Sequence, residues 1–147
     1  MANNTKTSTT LYARICAFLK VNDEGKVEGF LQDLTKKLNR TIDGVKQNVK
    51  NLQFQLETET AAHQDRIEDL TQAVEDAYLG VDVSRIQTNA DRNDYQQNYL
   101  SAISMAETAL EAENTSFAKT EKSFTDRIEA FEKQIANTEA RIARLQG

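Results

Sequence analysis

The sequence contains no proline and no tryptophan, and only one cysteine, one histidine and five glycines in 147 residues. Each scarcity excludes something. A chain of this length ordinarily carries several prolines to punctuate its loops. Their absence points to long uninterrupted helices, in whose interior a proline would cost about 3 kcal/mol. A single cysteine, Cys16, rules out an intramolecular disulfide framework and suits a reducing compartment, where it reads as a small buried hydrophobe. A single histidine, His63, removes every two-histidine metal site and the paired Glu-x-x-His motifs of di-iron bundles. No apolar run approaches the roughly 18 residues that a membrane-spanning helix needs. The opening residues 1–10 are polar, so no secretory signal is expected there. Phosphate-binding glycine loops and nucleophile elbows are missing, and the run Asp91, Arg92, Asn93, Asp94 lacks the glycine and closing glutamate of a calcium loop. The chain is therefore expected to be neither an enzyme nor the holder of a metal or other cofactor.

What is present is rhythm. Ile103, Leu110, Phe117, Phe124, Phe131, Thr138 and Leu145 recur at every seventh position, and Ile128, Ile135 and Ile142 supply the second apolar position of the later repeats. Only a long helix lying against another helix places those residues on one stripe. A partner stripe runs earlier in the chain through Val27, Leu31, Leu34, Leu38, Ile42, Val45, Val49, Leu52 and Leu56. After polar steps at Thr60 and His63 it resumes with Ile67, Leu70, Val74 and Ala77. The phase passes unshifted through Asp43 and Gly44, a pair that often marks a turn, so one helix is expected over about residues 26–79.

Gly80 offers the left-handed residue that commonly ends a helix, and Ser84 with Gln87 fits a capping box. A reversal is thus expected at about residues 80–83 and a second helix over about 84–146. Residues 1–8 read as a flexible polar arm. Leu11, Tyr12, Ile15, Phe18 and Leu19 form a short apolar helix over about residues 9–20, the right length to fold back at the open end of the hairpin. The fold expected is all-α: a long antiparallel helical hairpin, coiled-coil-like, with a short N-terminal helix packing at its base. With the reversal at 80–83, residue 26 falls opposite residue 137, the last turns of the second helix overhang, and Tyr99 falls opposite His63.

Charge is unevenly spread. Residues 57–113 hold three basic residues (Arg66, Arg85 and Arg92) against thirteen acidic ones, net −10, and the remainder holds fifteen basic against ten acidic, net +5, which together give the chain's −5. An acidic tip and a mildly basic base follow. Net acidity argues against nucleic acid along the whole length; the base (Arg14, Lys20, Lys26, Lys36, Lys37, Arg40) could still touch phosphate, though it carries no recognised nucleic-acid motif.

Two surfaces suit a protein partner. One is the N-terminal apolar segment Leu11, Tyr12, Ile15, Phe18 and Leu19, which reads as core, as a docking helix or as a membrane-surface anchor. The other is the tip, where Tyr78, Tyr95 and Tyr99 stand among Asp76, Asp82, Asp91 and Asp94, a composition common at interfaces. Phe54, Leu100 and Met105 lie off the main seam and leave room for contacts between copies, with Phe54 a further candidate interface residue. Glu59 and His63 share a helix face but supply two ligands where a metal needs three or four, so His63 reads as part of a polar layer that fixes register.

The general type resembles the helical hairpins that serve as accessory, scaffolding or adaptor proteins in large assemblies, phage particles included. The function expected is structural: a rod that self-associates or docks into a larger protein complex, in the cytoplasm or in a virion. The alternative is a regulatory binder whose acidic tip occupies a basic protein groove, as an inhibitor or phosphate mimic does.

Overall fold

A computed structural model of the chain describes residues 24–80 and 88–147. Nearly all of these lie in two helices, α1 (Glu24–Leu79, 56 residues) and α2 (Asn89–Gln146, 58 residues). They pack against each other, and no strand occurs among the described residues. The polar arm, the short helix expected at 9–20 and Asp82 lie outside the described residues.

The apolar spacing of the sequence reappears as burial. In α1 the buried side chains Val27, Ile42, Val45, Val49 and Leu52 fall on the three-and-four stripe, with Leu31, Leu34, Leu38 and Leu56 half-buried along it. α1 continues unbroken through Asp43 and Gly44, where a methyl group on Gly44 would meet nothing. The glycine costs roughly 1 kcal/mol of helix propensity relative to alanine, and packing of the flanking Ile42 and Val45 outweighs it.

Threonines enter the helices without stranding their hydroxyls. Thr35, Thr41, Thr58, Thr60, Thr120 and Thr138 each donate to the carbonyl four residues earlier. Thr138 can therefore hold a heptad position at 8% exposure. Thr60 departs from the sequence expectation: it is exposed, and the buried stripe of α1 skips it.

The helix ends also depart from it. α2 begins at Asn89, with Thr88 as its N-cap. Thr88 Oγ1 accepts from the amide of Asp91 at 3.1 Å, and Asp91 Oδ2 accepts from the amide of Thr88 at 3.2 Å, a reciprocal capping box. The first turn closes with Arg92 N donating to Thr88 O at 3.0 Å. Ser84 and Gln87, expected to play this part, lie outside the described residues. Gly80 follows the last residue of α1, but its φ is not in the left-handed region, so the expected left-handed cap is not formed.

The chain divides into two compact units. In the first, residues 24–51 pack with Arg127–Gly147. Leu34 and Leu38 line a groove with Arg141, Arg144 and Leu145, and Asn39, Ile42, Asp43 and Lys46 line a recess with Glu139, Ile142, Ala143 and Gln146. The expected pairing of residue 26 with residue 137 is overturned by this register. The start of α1 runs past the end of α2, the reverse of the expected overhang.

In the second unit, Leu52–Asp126, His63 meets Glu113 and Phe117, while Tyr99 meets Tyr78. Tyr99 is therefore not opposite His63. Its place is taken by Glu113, fourteen residues further on, which is two heptads and keeps the stripe in phase. The expected register rested on a second helix beginning at Ser84, and α2 begins at Asn89 instead.

Candidate functional site

The second unit holds the most chemically varied cluster among the described residues. His63 stands on the α1 stripe between Leu56 and Ile67, and Glu113 stands on the α2 stripe between Leu110 and Phe117, so each helix contributes one polar residue to an otherwise apolar seam. They meet: His63 Nδ1 and Glu113 Oε1 are 3.0 Å apart. Arg66, one turn after His63, donates from Nε to the same oxygen at 2.6 Å. The His63 ring stacks flat on Phe117, with centroids 4.0 Å apart and planes 4° from parallel.

The hydrogen bond from His63 and then that from Arg66 hold the Glu113 carboxyl below its ordinary value, against an opposing effect of partial burial. An ionised Glu113 can only accept, so the neutral His63 tautomer compatible with this bond carries its proton on Nδ1. Glu59, the other carboxylate on the face of His63, is exposed and has no part in the bond. The arrangement satisfies itself: a donor pair, one acceptor and an aromatic plane, with no buried side-chain polar atom left unpaired among the described residues. Among those residues there is also no group of three or more His, Cys, Asp or Glu placed to hold a metal ion.

A second cluster lies nearer the helix ends. Tyr78 donates to Glu107 Oε1 at 2.6 Å, Tyr99 donates to the Tyr78 carbonyl at 3.1 Å, and Tyr95 reaches the Gly80 carbonyl at 3.4 Å. Tyr95 and Tyr99 stack with centroids 6.2 Å apart. Donation to Glu107 raises the Tyr78 phenol above its ordinary value, because deprotonation would lose the bond and set two anions together. Two of these tyrosines thus cap the frayed carbonyls at the end of α1, groups with no partner inside the helix.

The sequence-predicted interface residues fare differently. Phe54 is 69% exposed and Tyr78 is also exposed, whereas Tyr95 is half-buried. Asp91 is occupied as the capping partner of Thr88. Leu11, Tyr12, Ile15, Phe18, Leu19 and Asp82 lie outside the described residues. Sequence reasoning missed Arg66, Glu107, Glu113 and Phe117. The signal for Glu113 was present, since it is a lone charge on an apolar stripe facing a helix whose own stripe holds a lone histidine.

No known protein family matches this chain, and neither does any curated protein or solved structure. No helix among the described residues is long and apolar enough to cross a membrane.

Proposed function

We propose that this chain is a non-enzymatic structural or assembly protein, an antiparallel, coiled-coil-like helical hairpin that binds copies of itself or docks into a larger protein complex such as a virion. The observation that carries the reading is the distribution of large apolar side chains in the second unit. Phe54, Leu79, Leu100 and Met105 all turn outward, with Leu79 at 80% exposure and Met105 at 72%. Single exposed hydrophobes are ordinary, but here they accompany a seam whose Ile67, Leu70, Val74, Phe117 and Phe124 are only half-buried. Paired helices that cover each other this incompletely gain from another protein surface.

The self-satisfied His63–Arg66–Glu113 layer supports the same reading. A polar layer within an apolar seam gives alignment of helices at some expense of stability, which suits a part whose work is geometric. The test is sedimentation of the purified chain across a wide concentration range, with Phe54→Ser, Leu100→Ser and Met105→Ser combined as the comparison. The intact chain is expected to associate, and the triple variant to remain helical and monomeric. A monomer at every concentration that also retains no protein from its native source would sink the reading.

A second reading rests on the net charge of −10 in residues 57–113: an acidic binder of a basic protein groove. Asp91 is unsuited to test it, because reversing its charge would also remove the cap of α2. Reversal of Asp69, Glu75 and Asp94 is the better probe. Partner capture that persists unchanged in that variant rejects the acidic-binder reading.

A further inference from the structure

The first unit offers a groove of about 320 Å³ lined by Leu34, Leu38, Arg141, Arg144 and Leu145. Its three leucines are half-buried and its two arginines are exposed. Arg66, Lys122 and Lys133 are engaged by carboxylates, whereas Arg141 and Arg144 make no hydrogen bond or ion pair among the described residues. An apolar floor beside two unpaired guanidinium groups suits a ligand that is apolar in the middle and anionic at its edge. A phosphate backbone would use the arginines and leave the leucines wet. A face of the fitting chemistry occurs in the second unit of this same chain. Leu79 is the most exposed large hydrophobe described. Glu75 and Asp76 precede it by one helical turn, both exposed, and Asp76 accepts from Gln72 Nε2 at 2.9 Å through one carboxylate oxygen. No basic residue occurs in α1 after Arg66. Phe54 and Leu79 lie about seven turns apart at 3.6 residues per turn, so they share one side of α1. That side carries Asp65, Glu68 and Asp69 between them and no base. The spacings also agree: Arg141 to Leu145 and Glu75 to Leu79 each set two charges and a leucine within about 6 Å of helix.

We propose that the groove receives the Glu75–Leu79 turn of a second copy of this chain. Leu79 seats against Leu34, Leu38 and Leu145, and the carboxylates of Glu75 and Asp76 meet Arg141 and Arg144. Charge selects the occupant. The described residues of the first unit hold ten basic against seven acidic residues, net +3, whereas residues 57–113 are net −10. Unlike units of two copies therefore attract, and their acidic units repel. Leu38 and Leu79 belong to one unbroken helix, so a chain cannot carry its own Leu79 into its own groove. One leucine covers less than the roughly 1,000 Å² that a stable interface needs, and Phe54 extends the docked side of α1 beyond it. The contact joins two different patches, a heterologous mode that builds rings or filaments rather than an isologous dimer. The inference rests on the self-association read above and names its surfaces.

Charge reversal on either side tests the contact. One variant of the full chain carries Arg141→Glu and Arg144→Glu, the other Glu75→Lys and Asp76→Lys, and circular dichroism checks that both keep the helicity of the parent. In sedimentation the parent is expected to associate, and each variant alone to associate about tenfold or more weakly, because like charges then face each other. An equimolar mixture is expected to regain association, since the acidic groove of one variant meets the basic turn of the other. A single chain carrying all four changes should regain it as well. Variants that associate as tightly as the parent, or a mixture no tighter than its components, overturn this contact while leaving self-association through another surface intact. A parent that stays monomeric overturns it too, and the assembly reading then rests on a partner from the native source. Leu79→Ser removes the anchor without altering charge and supplies an independent measurement. Its association should weaken, and association equal to that of the parent overturns the proposal equally.

Discussion

In the first unit the seam between residues 24–51 and Arg127–Gly147 is filled by Ile42, Val45, Val49 and Ile142, with Thr138 the one buried polar side chain described. Within Leu52–Asp126, Leu52 and Ile103 alone are as deeply buried among the described residues, and the middle is occupied by His63, Arg66 and Glu113. The same two helices build both units. What differs is the residue at each seam position, and the consequence is a division between cohesion and alignment. Aliphatic side chains stabilise through area removed from water, roughly 25 cal/mol per Å², but an aliphatic stripe accepts a slip of a whole heptad with little protest. A histidine that must meet a glutamate does not accept it.

The largest effect should come from emptying the dry seam. Ile42→Ala in the first unit is expected to cost about 3 kcal/mol, as cavity-forming changes at buried isoleucines do. Ile67→Ala at a half-buried site of the second unit should cost about half as much. Urea denaturation of both variants measures the contrast, and equal losses would abolish the distinction between the units.

The polar layer should show itself through pH. A carboxyl held low in the folded chain binds its proton less readily there than when unfolded. The contribution of Glu113 is therefore complete above its ordinary value of 4.5 and is lost as pH falls through the lower folded value. Carbon-detected titration of Glu113 should show the depressed midpoint. In Glu113→Gln the acid-side loss of stability should shrink, and the His63 ring signals should shift. A Glu113 midpoint at or above 4.5 contradicts the layer as described.

Smaller effects come from the helices themselves. Thr88→Ala removes half of the reciprocal cap and should cost about 1 kcal/mol, with faster amide exchange confined to the first turn of α2. Gly44→Ala should add about 0.5–1 kcal/mol, because the position is helical and a methyl group there meets nothing. A loss of stability in Gly44→Ala would mean that the helix of the first unit is not continuous there in solution.

Much of the helical architecture was legible before any coordinate. The heptad residues from Ile103 to Leu145 all lie on the less exposed face of α2, and the unshifted phase across Asp43 and Gly44 matches an unbroken α1. Phe54, Leu100 and Met105, off the stripe in sequence, are exposed. The candidate site was half legible. His63 was recognisable as a polar interruption of the seam, but its expected neighbour was Tyr99 and its actual one is Glu113. The error came from the turn: Ser84 and Gln87 fit a capping box in sequence, yet Thr88 and Asp91 are the pair that caps α2. A local motif states that a helix can begin at a position, not that it does.

The sequence by itself determined that two long helices occupy most of the described residues and which face of each is apolar, because both follow from spacing along the chain against a fixed 3.6-residue turn. It also determined that the charge is lopsided. The pairing of positions was decided by tertiary structure alone. A stripe that repeats every seven residues looks the same after a shift of seven or fourteen, so periodicity carries no information about register. That information lies in the few residues that break the repeat, and His63 and Glu113 disclose their meaning only when the two helices bring them within 3.0 Å of each other.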